Sequence, residues 1–428
     1  MHTMIKKLFI NKDVFNISSA FILKVSGTLL NFLLNIILAR SLGADGLGSY
    51  NIALTITSVT VVVTRFGLDN ALLRFVSAAF ARDDWKQIKG LHKVGLAVSS
   101  IVGIILTAII VGSSELISES IFDNQELSSI LWIMALTIVP NALINLYSEI
   151  FKGLGRVKIG MFFQGFLIPF LNLFLILALI NNLSSVLAVF TYTISNFIVI
   201  LICHLAWLKA SSNYKQIKGS FDKNKLLSVS FPLLWVSSMN LIIDVMDTIM
   251  IGIFRDSWEV GVYSTCAKIA FMSSMVMMAI NSVAGPKFSV LWSENKLDQL
   301  KIQAKKYTRH SAIIAVVITG FFILFRDYIL LIFGEEFLEG STIFLILILG
   351  QFLVLATGPV AYLLMMTGHH KFHRNNVLLC AVLNLILNLI LLPHYGALGV
   401  AFSTAIALAI KNLQAFIFVK RKLGFWTI

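Results

Sequence analysis

Five basic side chains, Lys24, Arg65, Arg74, Lys268 and Lys411, stand inside stretches that are otherwise almost wholly apolar. A Lys or Arg at the middle of a membrane-length helix costs about 2.5–3.5 kcal/mol on insertion scales, so it faces a wet cavity, a partner or the headgroups. Cations in such a setting suit an anionic ligand: arginine grips phosphate in a fork, and lysine acts as a point charge. Lys24 lies early in its stretch and could also reach outward to the headgroups. Lys268 lies about nine residues into its own, roughly 13 Å deep at 1.5 Å per residue, where reaching out is harder. Arg65 and Asp69, four apart, can pair on one helix face, as structure or as a ligand site. Arg74 reads as a cavity residue or an anchor at the inner interface, and Lys411 as a cavity residue or one that snorkels.

A second constellation is acidic. Asp244 and Asp247 stand three apart on one helix face, with Asn240 a turn earlier. Two carboxylates so close form a plausible site for a coupling proton or sodium ion. Their other reading is neutralisation by Lys268 or another cavity base. Asp244 follows Asn31 by 213 residues, an interval that recurs below. Asn172, Asn384, Asn388 and Gln164 read as interhelical hydrogen-bond formers. Cys203, Cys266 and Cys380 lie in apolar runs without metal or disulfide spacing. His369, His370 and His373 beside Lys371 read as a solvated basic turn. No metal site and no cofactor is expected.

The elements that must hold these residues are transmembrane helices. Of 428 residues 58% are hydrophobic and 13% charged. Soluble domains carry about 25% charge. Residues 94–114, 127–148, 159–208, 340–370 and 375–410 contain no Asp, Glu, Lys or Arg. A bilayer core of about 30 Å takes about 20 apolar residues as helix. A spanning barrel would instead alternate every second residue. The fold class is therefore an all-α polytopic membrane protein. Twelve spans are expected, near 15–40, 47–78, 92–113, 127–150, 157–180, 184–208, 226–254, 259–286, 309–332, 339–366, 375–393 and 397–419.

Twenty-six of the 34 basic residues fall on one side of that plan, including Lys86, Lys89, Lys152, Lys218, Lys301 and Lys371. The opposite connections hold Arg40, Arg255 and Arg326 and most of the acids. The positive-inside rule puts the basic side and both termini in the cytoplasm. The net charge of +13 is then topogenic, set against anionic headgroups, and a nucleic-acid partner is excluded.

The two halves resemble each other at an offset of 213. Gly48-Ser49-Tyr50 matches Gly261-Val262-Tyr263, Arg74-Phe75 matches Lys287-Phe288, and Gly155 to Lys158 matches Gly368 to Lys371. Ile121-Phe122-Asp123 matches Ile332-Phe333-Gly334 at 211. Six spans per half make the repeat parallel and divide the chain into six-helix bundles, 1–210 and 211–428, able to rock in alternating access.

Ser26 to Ile56, SGTLLNFLLNIILARSLGADGLGSYNIALTI, resembles the start of polysaccharide flippases of the Wzx type. So does Gly67 to Gly90, GLDNALLRFVSAAFARDDWKQIKG. Their superfamily also holds the MATE drug exporters and the lipid II flippase. The resemblance implies a MATE-like fold whose helices one, two, seven and eight line the cavity. It implies a cargo of oligosaccharide repeat unit on undecaprenyl diphosphate, moved to the periplasmic leaflet of a bacterial inner membrane for O-antigen, capsule or related polymers. Membrane lipids are its surroundings, and a polysaccharide polymerase with its chain-length machinery its expected partners. A diphosphate carries about two negative charges, and crossing hydrocarbon uncompensated would cost tens of kcal/mol. Cavity cations lower that barrier. Substrate contact is thus expected from Lys24, Asn31, Arg65, Asp69, Arg74, Lys268 and Lys411, and ion coupling from Asp244 and Asp247. The alternative is a cation-coupled multidrug exporter, which would favour an anionic cavity. A membrane enzyme is disfavoured, since every outer connection is short.

Overall fold

The computed structural model describes residues 22–234 and 245–427. Asp244 and the first part of the opening apolar stretch lie outside them. In chain order the helices are α1 (Ile22–Arg65), α2 (Leu68–Phe80), α3 (Trp85–Gly112), α4 (Ser114–Ser120), α5 (Gln125–Ala135), α6 (Ile138–Gly153) and α7 (Val157–Ala178). They continue as α8 (Ser185–Ala210), α9 (described over 223–234 and Val245–Phe254), α10 (Ser257–Ser293) and α11 (Leu297–Leu331). Last come α12 (Ser341–Ala356), α13 (Val360–Met366) and α14 (His370–Leu423). Among the described residues eight helices are long and apolar enough to cross a membrane, and α5 with α6 makes a ninth candidate across a 42° bend.

Two of these run far beyond one bilayer. The 44 residues of α1 and the 54 of α14 would each exceed about 60 Å if straight. Each is turned at one glycine. Gly43 adopts φ 69°, ψ −175° inside α1, and Gly396 adopts φ 57°, ψ −145° inside α14. Positive φ with extended ψ is essentially glycine-only territory. The N–H that follows each break is captured by a glutamate. Ala44 N–H donates to Glu336 Oε2 at 2.7 Å, and Ala397 N–H donates to Glu259 Oε2 at 2.6 Å. Arg255 completes the second break by donating to the carbonyls of Leu392 and Pro393 at 3.3 and 3.0 Å.

The chain divides into two compact units. One comprises the residues through Leu42 together with Ser49–Val245, and the other comprises Gly43–Gly48 with Met246 onward. In the first, Leu72, Val76, Ile88, Leu91, Ile150 and Phe151 form the buried centre. In the second, Phe288, Leu300, Leu363, Leu364 and Val419 do so. The outward faces are just as apolar: Ile101, Ile104, Ile105 and Ile109 stand exposed along α3. A surface of that kind is stable against lipid.

The sequence repeat reappears in the backbone. Gly155 and Gly368, 213 apart, both hold positive φ, 73° and 82°, after α6 and α13. Asp83 and Asn295, both at φ 54°, mark equivalent turns before α3 and α11. Asp123 and Gly334, 211 apart, are a further positive-φ pair. Three expected stretches are interrupted, one of them 339–366, which is divided into α12 and α13 around Gly358 (φ 71°). The stretch 47–78 is interrupted at Phe66 and Gly67 (φ 52° and 67°), where Gly67 packs on the backbone of Ser230 and Leu234. The stretch 127–150 bends between α5 and α6.

Candidate functional site

Within the first unit, α1, α6, α7 and α8 enclose a cavity of about 340 Å³. Its lining includes Lys24, Thr28 and Asn31 from α1, Asn141 and Asn145 from α6, Gln164 from α7 and Tyr192 from α8. Lys24 is the only charged residue of that described lining.

The wall opposite α1 owes its form to Pro169. Proline has no N–H, so the carbonyl four residues back, that of Gly165, loses its helical donor. The backbone answers with a π-helical turn over Phe162–Leu167, a widening frequent at functional sites. α1 closes onto the released carbonyl through Gly27, where a Cβ would lie 1.8 Å from the Gly165 oxygen. Only a Cα–H can point there, as a weak hydrogen bond. The turn also presents Gln164, which lies one turn along α7 from Gly160, whose carbonyl accepts from Ser148 Oγ at 2.8 Å.

From Gln164 a line of carboxamides runs through the wall. Lys152 Nζ, paired to Glu149 at 2.7 Å, donates to Gln164 Oε1 at 2.9 Å. Gln164 Nε2 donates to Asn145 Oδ1 at 2.8 Å, and Asn145 Nδ2 to Asn141 Oδ1 at 3.0 Å. Asn141 Nδ2 reaches Tyr192 Oη at 3.3 Å and Asn196 Oδ1 at 3.2 Å. On the facing side Asn31 Nδ2 donates to the Gly27 carbonyl at 3.0 Å.

The second unit holds a different polar centre. Asp247, on α9, accepts from Tyr263 Oη at 2.6 Å, Thr404 Oγ1 at 2.6 Å and Asn388 Nδ2 at 2.8 Å. Asn384 Nδ2 donates to Thr404 Oγ1 at 3.1 Å, and Asn388 Nδ2 also approaches Asn384 Oδ1 at 3.1 Å. Asn388 is fully buried, and its Oδ1 has no hydrogen-bond partner. The Gly396 break matters here: it lets the two arms of α14 bring Asn388 and Thr404 to one carboxylate. The cage is rich in oxygen acceptors, a chemistry suited to a proton or a hard monovalent cation.

The other expected residues fall elsewhere. Lys24 and Asn31 share the cavity. Arg65 and Asp69 pair with each other at 3.3 Å beside the α1–α2 break, outside its lining. Arg74 is exposed on α2. Lys268 is half-buried on α10, and the partners of Asp247 are the neutral Tyr263, Asn388 and Thr404 rather than that lysine. Lys411 is half-buried on α14, where its carbonyl accepts from Asn376 at 2.8 Å. Asn141, Asn145, Tyr192, Tyr263 and Thr404 were not singled out by the sequence. The signal available was amides four apart in uncharged runs, as at 141/145 and 384/388.

Known proteins share this plan. The chain is 23% identical over 427 residues to the capsular polysaccharide biosynthesis protein CapF of Staphylococcus aureus, covering 95% of this chain and 99% of that one. It is 24% identical over 410 residues to the probable low-salt glycan biosynthesis flippase Agl15 of Haloferax volcanii, covering 92% and 80%. Among solved structures, the lipid II flippase MurJ in an inward closed conformation matches 95% of this chain and 87% of its own with a TM-score of 0.75 at 14% identity. An inward-facing MATE multidrug transporter matches 94% and 98% with a TM-score of 0.74 at 14% identity. These two establish the likeness of fold. The MatE family model matches residues 232–390. The model of the polysaccharide biosynthesis protein family matches residues 14–292, well over half of the sequence, and the chain belongs to that family.

Proposed function

We propose that this protein carries an oligosaccharide repeat unit linked to undecaprenyl diphosphate from the cytoplasmic to the periplasmic leaflet of a bacterial inner membrane, by alternating access. The observation that carries the reading is the cavity of the first unit, where Lys24, the one cation of the described lining, stands among carboxamides and a tyrosine hydroxyl. A lysine answers a phosphate, amides answer sugar hydroxyls, and the prenyl chain stays in lipid. The sequence relatives in capsule and glycan biosynthesis support the cargo class. A multidrug exporter for organic cations would want a carboxylate there, and the described lining has none.

The reading takes the spans as twelve, with Gly43 and Gly396 each dividing one long helix into two crossings and the repeat halves meeting near 210/211. Both termini are then cytoplasmic. Asp247, with Asp244 outside the described residues, is the proposed coupling site for a proton or sodium gradient. Partners are a polysaccharide polymerase and its chain-length machinery.

Deletion of the gene tests this. In a strain without a second flippase, lipid-linked repeat units should accumulate on the cytoplasmic leaflet and surface polymer should be lost, read by lipid extraction and polymer staining. Normal surface polymer with no accumulation would refute the cargo.

A further inference from the structure

The carboxamide line in the cavity wall has a direction, and the direction is set at one end. Lys152 carries only donors, so Gln164 must turn its carbonyl to it. The Gln164 amide nitrogen then faces Asn145 Oδ1, the Asn145 nitrogen faces Asn141 Oδ1, and the Asn141 nitrogen faces Asn196 Oδ1. No amide can flip without breaking the bonds on both sides. Each bond made is also a bond withdrawn from ligands, so what remains can be read off. Gln164 keeps one N–H. Asn145 keeps a lone pair on Oδ1. Asn31, with one N–H on the Gly27 carbonyl, keeps its second N–H and its oxygen. Tyr192, whose oxygen accepts from Asn141, keeps its hydroxyl proton.

What this wall offers is alternating neutral donors and acceptors in fixed orientation. Sugar hydroxyls and acetamido groups, each able to donate and accept, match it. A carboxylate does not once the diphosphate has engaged Lys24, the one cation of the described lining: it would stand uncompensated beside those phosphates, while Lys152 behind the wall is already paired to Glu149 at 2.7 Å. The volume, about 340 Å³, is at the small end for organic ligands, roughly 300–1,000 Å³.

We propose that Gln164, Asn145, Asn31 and Tyr192 form a subsite for an uncharged sugar, an N-acetylhexosamine or plain hexose, borne next to the diphosphate of the cargo. The subsite rests on the cargo reading above and adds to it a selection against acidic sugars at that position. Gln164 is the specificity-determining residue, because the π-helical turn places it at the cavity and Lys152 fixes its orientation.

The test is native mass spectrometry of the purified full-length protein with three probes: undecaprenyl diphosphate, the same lipid bearing one N-acetylhexosamine, and the same lipid bearing one hexuronic acid. Two or more hydrogen bonds to the sugar should make the N-acetylhexosamine lipid bind about tenfold tighter than the bare lipid. The hexuronic lipid should show no such gain. Gln164→Ala should abolish the gain, and its thermal unfolding in detergent beside that of the native protein reports whether the variant is folded. Gln164→Glu, which keeps the acceptor for Lys152 and removes the donor to Asn145, should do the same and carries the comparison if the alanine variant does not fold. A gain that survives both substitutions, or equal binding of the uronic and acetamido lipids by the native protein, overturns the subsite alone. Failure of the native protein to bind any of the three lipids overturns the cargo reading itself, and the subsite with it.

Discussion

Asp247 is the residue on which the second unit's polar centre turns. Its carboxylate accepts three hydrogen bonds from neutral groups, two on Oδ2 and one on Oδ1. Asn in its place is nearly isosteric but offers one acceptor oxygen instead of two, so the hydroxyls of Tyr263 and Thr404 must turn from donating to accepting. The centre also loses its negative charge. Asp247→Asn should therefore insert normally yet lower export at least about tenfold and remove its response to an imposed proton or sodium gradient, measured in inverted vesicles. Full gradient-dependent export by that variant would take Asp247 out of coupling. Ionisable residues such as Lys24 and Asp247 were legible in the sequence because charge in an apolar run is costly and so conspicuous. Asn141, Asn145 and Tyr192 were not. Amides and hydroxyls can satisfy themselves within their own helix, as Asn145 Nδ2 does on the Asn141 carbonyl at 2.8 Å, and their meaning came only when α6, α7 and α8 set them side by side.

At the scale of elements, the decisive contacts are those where backbone meets backbone. The Gly27 approach to the Gly165 carbonyl can be tested by two substitutions with opposite expectations. A Cβ on Gly27 would fall 1.8 Å from a backbone oxygen, so α1 must move away from α7, whereas a Cβ on Gly165 meets nothing within 4 Å. Gly27→Ala should cost about 1–3 kcal/mol and loosen lipid binding, while Gly165→Ala should change stability by less than about 1 kcal/mol. Thermal unfolding in detergent measures both, and equal melting temperatures for the two variants would discount the close approach. The spans themselves were legible from their uncharged lengths. The interruption at Phe66 and Gly67 was not, since a phenylalanine with φ 52° has no local signature and is held there by what packs around it. The bend between α5 and α6 did carry a mark: the run 127–148 is uncharged, but Pro140, in the first turn of α6, has no N–H to give the Leu136 carbonyl at the bend.

For the whole molecule, the charge map makes a prediction about sidedness. Lys218 lies in the exposed connection before α9, and Glu119 is exposed at the end of α4, on the acid-bearing side. The three native cysteines are buried and free. In intact spheroplasts a membrane-impermeant maleimide should label Glu119→Cys and spare Lys218→Cys until the membrane is opened. The reverse pattern would invert the topology. The internal repeat was legible as a register of short matches, and the recurrence of positive φ at Gly155 and Gly368 shows what it encoded: the same turns in each half.

The placement of Gly43–Gly48 has a consequence for anyone dissecting this chain. Those six residues come from its first eighth, yet they belong with the later unit. There Glu336 holds the Ala44 N–H, and Gly261 is notched to take the Ala44 carbonyl, which would lie 1.9 Å from a Cβ. A fragment starting at residue 211 would fold around a missing piece, with an orphaned carboxylate and an empty notch. The second half is thus a tenant of a short loan from the first, and a complementing pair of fragments would have to return that loan before either could work.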